Sequence, residues 1–330
     1  MTRRRWLAPW VGIALGLAAC GGTLDVGRDE SHGLLPVDER NPVIIDNDGW
    51  SDNWMGEYAV LLANSVGPPL VGIIANSTIY WPSAKDNATG WGKLVAAARA
   101  SGLKNVPDVT LSSSEPLDRP ADGRIESTMP DRSAGARLIV DLSRQLSQPS
   151  RPLVVLGCAP LTNLANAYLL DPGVVDRVVV VAALGEYAAP TATMNGPNGD
   201  LDPWADWIVA QRYRYVQVSA YYDQLGDVMP DDLSRLPDNP LGAWMRNKQP
   251  GLFAIPNASD QIALLSVALP TFALAVQRVS PDTSVAFDST QGPPLRPDAA
   301  GNAWVVTQSD APLAASRLWE MLLDPRTYRR

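Results

Sequence analysis

Along this chain the apolar positions switch repeatedly between the two-residue period of a strand and the 3.6-residue period of a helix. Val43-Ile44-Ile45 is a short apolar run that ends in acids. From Trp54 to Ala63, Trp54, Tyr58, Leu61 and Leu62 fall at helical spacing, and Leu70 to Ala75 reads as the next strand. Trp91 to Ala100 predicts a helix stopped by Gly102, and Arg132 to Leu146 a second amphipathic one. Leu153 to Leu156 predicts a buried strand, Thr162 to Leu170 a helix and Val178 to Ala182 another strand. Asp202 caps a helix opened by Pro203, and Tyr215 to Val218 is a further strand. Strands alternating with helices predict an α/β fold: an open, mostly parallel sheet flanked by helices, in a single domain. Ligands of such sheets bind beyond the carboxyl ends of the strands, so the residues after each strand carry the functional information.

Composition narrows what those residues can be. With 330 residues, 46% of them apolar, the chain is long enough for one large core. Its 27 basic and 35 acidic residues give a net charge of −8, which leaves no basic excess for nucleic acid. Two cysteines make neither a disulfide scaffold nor a four-sulfur zinc site. The single histidine, His32, rules out a multi-histidine metal centre and leaves the expected fold without an imidazole.

The N-terminus reads as an address. Arg3-Arg4-Arg5, an apolar run from Trp6 to Ala19 and then Cys20 have the order of a secretory signal. The run is too short to span a bilayer and holds Pro9. Leu17-Ala18-Ala19-Cys20 resembles a bacterial lipobox, and the arginines suit either a twin-arginine or an ordinary export signal. The expected organisation is a signal peptide at 1–19, a lipidated Cys20 and tether at 20–41, and one domain at 42–330. Export would take three arginines from the chain, moving its charge from −8 to −11. The protein would then sit lipid-anchored on a bacterial membrane, at the cell surface or in the periplasm.

After the first strand comes Asp46-Asn47-Asp48-Gly49-Trp50-Ser51-Asp52-Asn53. A helix cap needs one of these acids, and three in one loop repel each other unless positive charge sits among them. Oxygen donors without histidine or thiolate suit a hard cation, calcium or magnesium.

Two families place acids at this point. Asp46-x-Asp48-Gly49 resembles the haloacid dehalogenase phosphatase motif, but the lysine and later acidic pair of that family are not found at suitable places. The loop also resembles the D-x-D-P-G-x-D-D opening of the inosine-uridine preferring nucleoside hydrolases. Further segments agree with the second family. Leu156-Gly157-Cys158-Ala159-Pro160-Leu161-Thr162-Asn163-Leu164-Ala165 is similar to its strand and G-x-L-T-N-[IL]-A turn. Asn198 with Asp202-Pro203 resembles E-F-N-x-x-x-D-P, and Asp260-Gln261-Ile262-Ala263 resembles H-D-P-x-A. The likeness runs from about Val43 to Arg278.

This resemblance implies calcium-dependent hydrolysis of the N-glycosidic bond of ribonucleosides, giving ribose and free base. By match, Asp48 would ligate calcium and act as the base toward water. Asn53, Asp260 and the backbone carbonyl of Cys158 would complete the ligands, and Asp46 would orient its neighbours. Asp52 and Asn198 would hold the ribose. The partners implied are a nucleoside or related small molecule and, as is common in the family, further copies of the chain.

Several positions depart from the pattern. Asn53 stands where the family has a second aspartate, Gly49-Trp50 replaces Pro-Gly, Gly196 replaces a sugar-binding glutamate, and Ser259 replaces a histidine. The leaving base then needs another route: Glu186 or Asp223 as acid, or stacking on one of the 11 tryptophans, with Trp50, Trp81, Trp91 and Trp204 in or near the loops. The same departures suit a second reading, a member that binds a riboside or polyol without turnover.

Overall fold

The sequence order of the strands is not their order in space. In the computed structural model, which describes residues 34–49, 55–63, 67–77, 83–112, 115–196, 198–218, 233–247 and 260–324, eleven strands form one sheet in the order β3-β2-β1-β4-β5-β8-β11-β9-β10-β7-β6. Its central part is β1 (Val43–Asn47), β2 (Leu70–Ala75), β3 (Val109–Leu111), β4 (Leu153–Cys158), β5 (Val178–Ala183) and β8 (Arg214–Val218), all parallel to their neighbours. β11 (Ala303–Ser309) joins β8 in parallel; β9 (Ala273–Pro281), β10 (Pro294–Pro297), β7 (Thr191–Thr193) and β6 (Glu186–Ala188) extend the sheet antiparallel. The fold is thus the open, mostly parallel α/β sheet that the alternation predicts. The antiparallel extension is new, because its strands are too polar or too short to show a period.

Every residue of β1, β4 and β5 is buried, as expected for strands covered on both faces. One layer contains α1 (Met55–Leu62), α2 (Ala84–Ala100), α6 (Pro240–Arg246), α7 (Gln261–Ala268) and α8 (Ala311–Leu323). The other contains α3 (Ala134–Leu146), α4 (Thr162–Leu170) and α5 (Pro203–Arg212). α2 starts seven residues before the expected Trp91, at Ala84. Ser83 caps it by accepting the Asp86 amide, and Gly90 and Gly92 hide the apolar period of its first turns.

Residues 34–41, within the stretch read as a tether, pack onto this body. Leu35 and Val37 join the core, and Asn41 donates to the Pro152 carbonyl at 2.7 Å. Cys20, the signal segment and His32 lie outside the described residues.

The chain reverses its direction of travel across the sheet between β1 and β4. These two strands lie side by side, with Asp46 opposite Gly157 and Asn47 opposite Cys158. A crevice opens beyond the carboxyl ends of the strands at such a switch point.

Candidate functional site

β1 delivers its carboxylates into that crevice because it remains in register with β4 through Asn47. Asp46 is buried, and its two oxygens accept from Asn163 Nδ2 at 3.3 and 3.0 Å. Asn163 is held in turn by Ser112 and Ser133, whose hydroxyls both donate to its Oδ1 at 2.9 Å. Ser133 also caps α3, so one side chain ties a helix start to the orientation of Asp46. Gly135 makes room for this junction: a Cβ there would lie 2.7 Å from Ser112 Oγ and 2.8 Å from Asn163 Oδ1. Burial raises the Asp46 carboxyl to about 7, against the opposing pull of the Asn163 and Asn76 amides.

Asn47, between the two acids, has no role in the motif and holds much of the site. Its Oδ1 accepts from the Gly49 amide at 3.0 Å and from Trp91 Nε1 at 3.3 Å. Its Nδ2 donates to Asp260 Oδ2 at 3.0 Å, across 213 residues of sequence. Its backbone carbonyl accepts from Asn87 Nδ2 at 2.8 Å and from the Asn76 amide at 2.9 Å. The signal missed in the sequence is the excess of asparagines at strand ends and facing helices: Asn47, Asn76, Asn87 and Asn163. Such amides orient carboxylates and strand ends without neutralising them.

Asp48 is buried just beyond β1, and Asp260 is half-buried at the start of α7. Cys158 ends β4 with its thiol against the Asp260 carbonyl at 3.9 Å. Burial pushes this thiol well up, and the charges of Asp260, Asp48 and Asp46, in that order, push it further. The Asn47–Asp260 hydrogen bond and the pairing of Asn47 with Cys158 place Asp260 at the strand end that carries Asp46 and Asp48. Among the described residues, no three His, Cys, Asp or Glu side chains gather closely enough to enclose a metal ion by themselves. Gln261 follows Asp260, is fully buried, and has neither end of its amide hydrogen-bonded.

Asn198 is half-buried at the turn leading to α5. Gly199 beside it admits no side chain, since a Cβ would lie 1.7 Å from the Met194 carbonyl. Asp202 caps α5 through the Ala205 amide at 3.0 Å and also accepts from Thr162 at 2.6 Å and the Leu117 amide at 3.1 Å. Burial raises its carboxyl to about 6. Gly196, at φ +118°, supplies no side chain in the glutamate's place.

Glu186 sits exposed on the β6–β7 hairpin. Trp91 and Trp204 are buried, with their indole N–H groups on Asn47 and on Thr128, so neither is an open stacking face. Trp50, Asp52, Asn53, Trp81, Asp223 and Ser259 lie outside the described residues. The structure therefore brings together Asp46, Asp48, Cys158 and Asp260.

No protein-family model matches the chain, and no curated protein matches it by sequence. Solved structures do match. A purine-preferring ribonucleoside hydrolase from Gardnerella vaginalis is 15% identical over 87% of this chain and 99% of its own, with a TM-score of 0.62. An inosine-uridine preferring nucleoside hydrolase from Bacillus anthracis is 14% identical over 87% and 99%, with a TM-score of 0.58. The type III effector protein XopQ, solved with adenosine diphosphate ribose, is 15% identical over 88% and 94%, with a TM-score of 0.54. The chain has the nucleoside hydrolase fold.

Proposed function

We propose that this chain is a divergent, calcium-dependent N-ribohydrolase, exported and lipid-anchored through Cys20. The observation that carries this reading is the Asn47–Asp260 hydrogen bond of 3.0 Å, which brings Asp260 to the strand end bearing Asp46 and Asp48, at the switch point of a nucleoside hydrolase fold.

The donor set fits a hard cation. Asp48 and Asp260 offer carboxylate oxygens, and Cys158 offers a backbone carbonyl. These are fewer than the about six to eight oxygens that calcium takes, so Asn53, substrate hydroxyls and water would supply the remainder. A calcium ion held there would acidify water and orient a ribose diol. The residues do the rest. Asp48 takes the proton of the attacking water, Asp46 keeps Asp48 in place through the end of β1, and Asp52 and Asn198 position the sugar. The carboxylates stabilise the positive charge that develops on the sugar as the base departs.

The test is ribose release from inosine, uridine, adenosine and guanosine, with calcium or with chelator. Turnover of at least one, abolished by chelation and reduced ~100-fold or more in Asp48→Asn, is expected. The second reading, a binder without turnover, is favoured by the missing side chain at Gly196. Calorimetric binding of calcium or riboside without ribose release would establish it instead. Absence of both would refute both. Magnesium-dependent phosphate release that disappears in Asp46→Asn would favour the phosphohydrolase. Anchoring is tested separately, by labelled lipid incorporation that disappears in Cys20→Ser.

A further inference from the structure

On the outer side of α5 a cavity of about 390 Å³ opens between that helix, the 119–126 loop and the 283–287 loop. It shares no residue with the crevice at β1 and β4. Trp204, Trp207 and Gln211 recur along one face of α5 and form its floor. Phe287 packs edge-on to both indoles, at 5.4 Å and 5.9 Å between ring centroids.

The groups here with unused hydrogen-bonding capacity are donors. Arg119 lies over Trp204 at 5.5 Å and over Phe287 at 5.0 Å, with no ion pair to any described residue. Gly123, at φ +67°, backs it: a Cβ there would lie 2.5 Å from the guanidinium. Held between two rings and a bare backbone, this guanidinium is oriented before any ligand arrives. Trp207 Nε1 is buried without a hydrogen-bond partner, and so is Arg212 Nε. Arg124 adds a further, exposed guanidinium, whose charge also acts on the Asp122 carboxylate. The one carboxylate in the wall, Glu126, is already taken by Arg212 at 2.6 Å. Val285, 46% exposed, leaves apolar surface uncovered beside them.

Buried donors without acceptors are costly, and guanidinium forks match the oxygens of phosphate and carboxylate. Two guanidinium charges, of which that of Arg119 has no ion pair to a described residue, suit a dianion better than a single carboxylate. We propose that this cavity is a second ligand site, which binds a small phosphate monoester with an apolar or planar body. The phosphate takes the Arg119, Arg124 and Trp207 donors, and the body lies against Val285 and Phe287. The proposal is independent of what happens at the β1–β4 crevice.

Phenyl phosphate is the probe, titrated calorimetrically into the full chain. Saturable binding is expected, weakened ~10-fold or more in Arg119→Gln and several-fold in Trp207→Phe. Arg151→Gln, remote from the cavity, should bind as the parent does. Circular dichroism melting establishes that each variant is folded, and Trp207→Phe keeps the test open if Arg119→Gln is not. Phenol should not bind, and benzoate should bind more weakly than phenyl phosphate. No binding of phenyl phosphate at millimolar concentration, or equal affinity in both folded variants, would overturn the proposal. Binding to phosphatidic acid vesicles but not to phenyl phosphate would overturn it as well, in favour of a lipid headgroup.

Discussion

Asn47→Ala is the substitution that most directly probes how the crevice is built. It removes one amide and leaves the backbone carbonyl that serves Asn87 and Asn76 untouched. Three hydrogen bonds disappear: to the Gly49 amide, to Trp91 Nε1 and to Asp260 Oδ2. Trp91 is 1% exposed and Gly49 is buried, so both lose this acceptor away from water, at about 1–3 kcal/mol each. The bond to Asp260 is charge-assisted but only half-buried, which reduces its worth to about 1 kcal/mol. The loss should total about 3–7 kcal/mol, a large fraction of the roughly 5–15 kcal/mol that holds a typical domain folded.

Urea unfolding at pH 7, followed by tryptophan fluorescence, measures this loss. Asn47→Asp then separates its parts. It keeps the acceptor for Gly49 and Trp91 but faces Asp260 Oδ2 with a second carboxylate oxygen across a spacing of 3.0 Å. That pair must share a proton, so its folded-state pKa rises. The variant should be weakest at neutral pH and recover as the pH falls toward 4. A loss below about 1 kcal/mol in Asn47→Ala, or no recovery in acid for Asn47→Asp, would refute the role assigned to this amide.

Other predictions concern the buried polar groups around the crevice. Asp206 on α5 is fully buried, accepts no hydrogen bond, and is pushed well up by burial and then by Asp202 and Asp200. Its folded state keeps a proton that the unfolded chain loses near pH 4, so stability should fall by about 1.4 kcal/mol per pH unit above that. Asp206→Asn should flatten the pH profile of urea unfolding above pH 4; parallel profiles would sink the idea. Asp202, raised from 3.8 to about 6, should cost about 3 kcal/mol between pH 4 and 6 by the same sign, and its share should persist in Asp206→Asn. Gln261→Met should raise stability by about 1–2 kcal/mol, measured by thermal melting, because it replaces an amide with neither end hydrogen-bonded by an apolar chain of similar length. Gly199→Ala should destabilise by more than about 3 kcal/mol, since its Cβ would collide with a backbone carbonyl rather than a movable side chain.

The parallel half of the sheet was legible because both of its faces are buried, which turns each strand into an uninterrupted apolar run. Val178 to Ala183 and Leu153 to Cys158 are such runs. β9 to β11 alternate weakly, and β6 and β7 are three residues each, too short for any period. The acids of the crevice were legible from their crowding, which electrostatics makes expensive without a purpose. The asparagine frame was not, because an amide between two aspartates reads as one more polar loop residue. Only the pairing of β1 with β4 and the approach of α7 reveal that Asn47 reaches Asp260. Trp91 misled in the opposite sense: abundance and a neighbouring loop suggested stacking, whereas its indole is spent on Asn47.

The carboxylate cluster at the end of β1 and the segments at 186 and 196 are built by different means, and this bears on whether the chain turns over its ligand. The Asp46–Asp48–Asp260 wall is fixed by interlocked amides and by strand register, so its geometry survives changes in the loops around it. The positions that the resemblance assigns to the sugar and the departing base offer less: Gly196 has no side chain, and Glu186 is exposed on a hairpin. In the proposed reaction the cation draws on these carboxylates, and protonation of the departing base draws on a group outside them. Under that proposal the two functions are separable. Asp260→Asn should weaken calcium and riboside binding together, whether or not turnover exists. Glu186→Gln should lower kcat with little change in calcium affinity if Glu186 protonates the leaving base. Unaltered kcat in Glu186→Gln would return that step to the loops, or to a leaving base that needs no protonation.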